Sequence, residues 1–226
     1  MSLHYSFDFW NTVGKPNMEY ARQRTALLAR VFETDIATAK ATYTATKGRL
    51  DKLAEDQGLS TPRMDCFAQL VTAFGRDPLI SIDELATAFD TIFADLPPTV
   101  DPILVEALHD MHAHGITLSI GSNTNFINGQ EIKRYVLDAP SIVLPFAFTI
   151  FSDEAKVSKP NPEFFSAILA GARDTNRGVT APEHIIHVGD SKRCDGEGAR
   201  DAGMGFLYVT DADNTAPVLA SNMVDA

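Results

Sequence analysis

Asp8 lies near the end of the run LHYSFDF, Ser122 and Asn123 follow the run ITLSIG, and Lys159 stands in the loop SKPNP after a third apolar run. Asp190 follows HIIHVG, and Asp195 opens the segment after it. In an open parallel sheet, ligands bind beyond the carboxyl ends of the strands, so strand ends are where chemistry collects. Here they collect three carboxylates, a hydroxyl, an ammonium and backbone N–H groups at a helix start. Two carboxylates about 4 Å apart repel by about 4 kcal/mol at an effective dielectric of 20. Asp8, Asp190 and Asp195 therefore cannot all stay ionised together without a counterion. Lys159 offsets one charge, and a hard divalent cation offsets the rest. A few protein carboxylates completed by substrate oxygens is the Mg²⁺ style of site. Ser122 and nearby backbone N–H groups suit non-bridging phosphoryl oxygens, with Lys159 as a point charge. That leaves Asp8 as a covalent nucleophile that forms an aspartyl-phosphate.

The elements that must position these groups fall into three pieces. Residues 3–9 alternate and are aromatic-rich, which predicts a short strand. From about residue 17 to about residue 95, helical patterns dominate. Asn17 predicts an N-cap for a helix reaching Val31. A second, Ala- and Thr-rich segment spans 35–54, and Pro62 suits the first turn of a third. Ser81 and Glu84 form a capping box ahead of a fourth, and Pro97 and Pro98 end the block. Beyond Pro102, helices and strands alternate. Strands are expected over 116–121, 146–152, 184–189 and 205–210, and helices over 103–114, 129–137, 162–172 and 193–202. The segment 211–226 is ambiguous. Strands separated by single helices imply right-handed crossovers and a mainly parallel sheet. The first strand must join that sheet. The expected architecture is a doubly wound α/β core, residues 1–14 and 98–226, with a helical domain, 15–97, inserted after the first strand.

Composition narrows the function classes. The 226 residues carry a formal net charge of −11, which opposes non-specific binding to nucleic acid or an anionic membrane. An anionic substrate must then be captured by local groups. Cys66 and Cys194 are too few for a disulfide framework and lack metal-ligand spacing. No basic start followed by an apolar run marks a signal peptide, and no apolar stretch approaches about 20 residues. A cytoplasmic protein is expected.

Asp8 with Thr12, Ser122 with Asn123, Lys159 followed by Pro160, and Gly189-Asp190 with Asp195 and the tail GARDAG stand in order, each after a strand. In this the chain resembles the haloacid dehalogenase-like hydrolase superfamily over almost its full length. The helical insertion sits where the superfamily's helical-cap subgroup places its cap. The resemblance implies that Asp8 is the nucleophile, with Ser122, Asn123 and Lys159 in the catalytic set. It implies Mg²⁺ held by Asp8, Asp190 and the backbone carbonyl of Trp10, with Asp195 in the outer shell or as a further ligand. A small phosphorylated metabolite is the implied substrate. One position departs from the pattern. Phosphatases of the superfamily usually carry a second Asp two residues after the nucleophile, as general acid and base, and here that residue is Trp10. Members that replace this acid include dehalogenases and phosphonate-cleaving enzymes. Haloacid dehalogenases, however, typically lack the metal-binding form of the last motif, which this chain keeps. A phosphonate hydrolase needs a cap lysine, for which Lys40, Lys47 and Lys52 are available. A C–halogen or C–P hydrolase using Asp8, and an impaired member that binds a phospho-ligand or a protein, are the alternatives.

Several other residues have plainer readings. His112 and His114 are two apart on a helix and do not share a face. His184 and His187 read as packing or local hydrogen bonding, and Cys194 as incidental. Phe67, Phe74, Phe89 and Phe93 read as core of the helical block, with a place in the substrate pocket as the alternative for some of them. Tyr20 is also available for the buried face of the first helix, and Tyr20, Arg22 and Arg24 read as solvated or capping residues ahead of substrate recognition.

Overall fold

Strand β1 (His4–Phe7) is buried along its whole length because it has a parallel partner on each edge. In the computed structural model, which describes residues 3–140, 142–176, 178–179 and 181–223, β1 is the centre of a five-stranded parallel sheet. With β2 (Thr117–Ser122), β3 (Phe146–Phe151), β4 (Ile185–Gly189) and β5 (Gly205–Tyr208), the order is β3-β2-β1-β4-β5. Phe7 is in register with Ile120 on one side and Val188 on the other. The chain leaves β1 for β2 and β3 on one edge, then returns to β4 and β5 on the other. The order therefore reverses at β1, and a crevice opens at the carboxyl ends of β1 and β4.

Between β1 and β2 come α1 (Met18–Val31), α2 (Ile36–Gln57), α3 (Arg63–Phe74), α4 (Ile82–Asp95) and α5 (Pro102–Ala113). Asn17 caps α1 by accepting from the Glu19 and Tyr20 N–H groups, and the Ser81–Glu84 capping box opens α4, as the pattern predicts. Helices α1 to α4 pack on one another in a closed ring, while α5 packs on β2. Phe67, Phe89 and Phe93 are fully buried, and Phe74 stacks on Phe32 at 3.8 Å. Phe126, from the loop after β2, plugs this block, with its ring 5.2 Å from both Phe67 and Tyr43.

Helices α6 (Gly129–Ile132), α7 (Ser152–Ala155), α8 (Pro162–Thr175), α9 (Gly198–Asp201) and α10 (Ala212–Met223) complete the chain. Cluster residues of α8 and β4, Phe164, Phe165, Ile168 and Ile185, cover one sheet face, while Leu104, Leu108 and Leu219 join Phe7 and Ile120 on the other. Two expected helices are not regular. The segment 129–137 is α6 followed by a single π turn, Lys133–Leu137. The segment 193–202 is a π turn, Lys192–Glu197, running into α9. There the Gly196 N–H reaches back five residues to the Ser191 carbonyl at 3.1 Å. Such π turns recur at functional sites. The ambiguous segment is α10 as far as Met223, and residues 224–226 lie outside the described ones. The short α7 carries no sequence signal long enough to stand out. Among the described residues, no helix is long and apolar enough to cross a membrane.

Candidate active site

The crevice gathers the strand-end groups. Asp8 follows β1 directly, and its backbone N–H donates to the Val188 carbonyl at 2.8 Å, which locks it to the end of β4. Ser122 Oγ donates to Asp8 Oδ1 at 2.9 Å. Lys159 Nζ donates to the same oxygen at 2.7 Å and to Asp195 Oδ1 at 2.6 Å. Both donors converge on Oδ1, so Asp8 Oδ2 has no donor among the described residues. Asp195 is engaged on both oxygens. His187 Nε2 lies 3.0 Å from Oδ1, and the Ser191 N–H donates to Oδ2 at 2.9 Å. The π turn brings Asp195 back to that N–H. Gly189 makes room for it, since a Cβ there would lie 2.3 Å from the Asp195 carboxyl carbon. Asp190 is more open, and Asn11 Nδ2 donates to its Oδ2 at 3.2 Å. Asn11 sits in the left-handed region (φ 58°), which Asn tolerates better than most residues.

One carboxylate oxygen from each of Asp8, Asp190 and Asp195 lies within 4.8 Å of the other two. Their charges are unequally matched. Burial, with Asp195 adding to it, raises Asp8 above the usual range, against the pull of Lys159 and Ser122. Burial, then Asp8 and Asp195, push Asp190 up to about 6. Burial also works against Asp195, but Lys159 and His187 outweigh it and hold that carboxyl well below its usual range. Lys159 loses to burial and gains more from Asp195 and Asp8, so it stays protonated. His187 is driven toward the neutral form by burial. Lys159 and Asp195 thus form the settled ion pair, with Lys159 shared by Asp8. Among the described residues no second cation pairs with Asp8 or Asp190, and their oxygens suit one hard cation.

The expected residues converge, with different roles. Asp8, Ser122, Lys159, Asp190 and Asp195 form one cluster. The Asn123 side chain does not bond to the side chains of that cluster; its amide clamps the Lys159 backbone, accepting from N–H at 2.8 Å and donating to C=O at 3.0 Å. Trp10 lies in the wall, its ring 5.1 Å from Phe9 and 6.5 Å from Phe93. The wall encloses a cavity of about 460 Å³ shared by the strand ends and helices α1, α2 and α4, a size suited to a small molecule. Tyr20, Arg24 and Phe93 line it, which corrects the solvated or capping reading of Arg24, agrees with the buried-face alternative for Tyr20, and puts Phe93 in the pocket wall. The i,i+4 spacing of Tyr20 and Arg24 was the available signal, but a sequence does not say which helix face meets a partner. Of the three candidate lysines only Lys47 lines the cavity, and it is paired with Asp51 at 2.6 Å. His187 bonds within the site rather than only around its strand. Cys194 lines the cavity as a thiol, pushed up to about 11 by burial. His112 and His114 are exposed, as expected.

A family model described as haloacid dehalogenase-like hydrolase matches residues 4–203. No curated protein matches the chain at a significant level. Among solved structures, the chain is similar to a HAD phosphatase from Thermococcus onnurineus, with 20% identity over 92% of this chain and 86% of that one, at a TM-score of 0.61. It is similar to the magnesium-bound structure of YfnB from Bacillus subtilis, described as a HAD-hydrolase, with 15% identity over 97% and 99% and a TM-score of 0.70. It is also similar to a 2-haloacid dehalogenase from Pseudomonas syringae pv. Tomato, with 18% identity over 98% and 99% and a TM-score of 0.60. At these identities the likeness is one of fold, shared by phosphatases and dehalogenases alike.

Proposed function

The chain belongs to the haloacid dehalogenase-like hydrolases, and on that premise we propose that it is a Mg²⁺-dependent phosphatase of a small phosphorylated metabolite, acting through an aspartyl-phosphate on Asp8. One observation carries the reading: three carboxylates, one oxygen of each within 4.8 Å of the others, are countered among the described residues by a single ammonium, Lys159. That leaves two negative charges, the complement of one divalent cation. Asp8, Asp190 and the Trp10 backbone carbonyl are the proposed ligands. Asp195, with both oxygens taken, fits an outer role that holds Lys159 and the Ser191 turn. Bound there, Mg²⁺ would draw charge from the phosphoryl oxygens and keep Asp8 and Asp190 ionised.

In the proposed reaction, Asp8 Oδ2 attacks phosphorus as the bond to the leaving oxygen breaks, and that oxygen departs with the electron pair. Lys159 and Ser122, both bonded to Oδ1, fix the carboxylate for attack. Water then cleaves the acyl phosphate and regenerates Asp8. Residues 15–97 serve as the cap that closes the cavity. The two free cysteines support a cytoplasmic setting. Trp10, which has no acid to offer a leaving oxygen, favours a second reading, cleavage of a C–halogen or C–P bond by the same nucleophile.

A screen of phosphorylated metabolites, with and without chelator, tests the proposal on the wild type and Asp8→Asn. Phosphate release that needs Mg²⁺ and vanishes in Asp8→Asn is expected. Turnover indifferent to chelator, or an active Asp8→Asn enzyme, would falsify it. Ligand binding without turnover of any substrate marks the impaired member instead.

A further inference from the structure

Six buried side-chain polar atoms lack a hydrogen-bond partner among the described residues, and two of them, Tyr20 Oη and Arg24 Nε, lie one turn apart on α1. Residues four apart share a helix face, and both line the cavity that holds Asp8. Buried donors without partners are rare enough in folded proteins to require a reason. Of the three cations in the cavity wall among the described residues, Lys159 is bound to Asp8 and Asp195, and Lys47 to Asp51. Arg24 forms no salt bridge among the described residues. Its guanidinium instead lies 3.7 Å from the centroid of the Tyr43 ring and 5.3 Å from that of Tyr20. Stacking of this kind holds the planar fork in place while its N–H groups stay available to an oxyanion.

The wall between Arg24 and the nucleophile is aromatic. Trp10 meets Phe93 at 6.5 Å, and Phe93 meets Tyr20 at 5.8 Å, both edge to face. A ligand spanning the cavity therefore meets the carboxylate and cation site at one end, rings in the middle, and a guanidinium with a phenol at the other. Burial keeps the Tyr20 hydroxyl protonated, hence a donor, against the opposing pull of the Arg24 guanidinium beside it. One guanidinium balances one negative charge. A carboxylate matches that, whereas a second phosphate would leave a charge uncompensated.

We propose that Arg24 and Tyr20 form a second anion subsite that takes a carboxylate of the substrate, which makes the substrate class a small phosphorylated carboxylic acid. The substrate class rests on the phosphoryl reading of the Asp8 end; the subsite does not. The test pairs ω-phosphonoalkanoates of increasing chain length with alkylphosphonates of equal length, titrated by calorimetry into the Mg²⁺-loaded protein. At one or more lengths the carboxylate should tighten binding by about tenfold or more in the wild type, the scale of a charge-assisted bond. Within Arg24→Gln that ratio should fall to near one. Within Tyr20→Phe it should fall by a few-fold, and Arg24→Lys should keep part of it, which covers a Gln variant that does not fold. A wild type that distinguishes no pair, or a ratio that survives in Arg24→Gln, overturns the subsite. Simple alkanoates and haloalkanoates form a separate arm. If phosphonates fail to bind but these bind with the same Arg24 dependence, the phosphoryl reading falls and the subsite stands. If neither arm depends on Arg24, the subsite is refuted whatever the reaction at Asp8.

Discussion

Lys159→Met removes the one cation inside the carboxylate cluster while keeping much of the side-chain volume. Lys159, Asp195 and Asp8 have side chains 2%, 2% and 10% exposed, so water cannot replace the lost charge. With one oxygen of each carboxylate within 4.8 Å of the others, each pair repels by about 3 kcal/mol at an effective dielectric of 20. The protein has one escape, which is to take up a proton. Protonating a carboxyl with an ordinary value of 3.8 at pH 8 costs about 6 kcal/mol, and at pH 5 about 2 kcal/mol. The variant should therefore be less stable than the wild type by about 3–5 kcal/mol at pH 8, the usual range for breaking a buried pair. The deficit should shrink to about 2 kcal/mol at pH 5. The sign follows from linkage. In the variant the folded-state carboxyl is raised above its unfolded value, so its proton stabilises the fold at low pH, and that stability is lost as pH rises. Urea unfolding of both proteins at pH 5 and 8, with and without Mg²⁺, measures the difference, and Mg²⁺ should restore part of it at pH 8. A deficit below about 1 kcal/mol at pH 8, or one equal at both pH values, would refute the reasoning.

Trp10→Asp restores an acid two residues after the nucleophile and should raise alkyl-phosphate turnover by about 10²-fold or more, while p-nitrophenyl phosphate gains little. A flat leaving-group dependence in the wild type would mean that another group supplies the proton. Asp190→Asn should weaken Mg²⁺ binding and turnover with little change in thermal unfolding of the metal-free protein; calorimetry showing equal Mg²⁺ affinity would remove Asp190 from the ligand set. His4 is held near 4 by burial, between the hydroxyls of Thr117 and Ser119, each at 2.8 Å. Its folded value is depressed, so stability present above pH 6.5 drains as pH falls, by about 2–3 kcal/mol between pH 7 and 4.5. His4→Gln should lose that share of the acid sensitivity, and a stability difference between the two proteins that stays flat over this range would contradict it.

The local signals that survive folding are short-range ones. Asn17 and the Ser81–Glu84 box cap their helices because a cap is decided by three or four consecutive residues. The apolar runs that end at Asp8, Ser122 and Gly189 become neighbouring strands because buried parallel strands read as near-continuous hydrophobic runs. With that much known, the convergence of Asp8, Ser122, Lys159, Asp190 and Asp195 follows from topology alone, since all lie at or beyond strand carboxyl ends. Tertiary structure decided how those residues share charge. Asn123 clamps a backbone instead of touching the cluster, because its amide meets Lys159 across 36 residues of sequence. Asp195 is saturated by Lys159, His187 and a backbone N–H because a π turn returns it to Ser191. Arg24 and Tyr20 belong to the cavity because the ring of α1 to α4 turns that face of α1 inward. Periodicity along a chain can mark a face, but only packing against residues far away in sequence determines what that face meets.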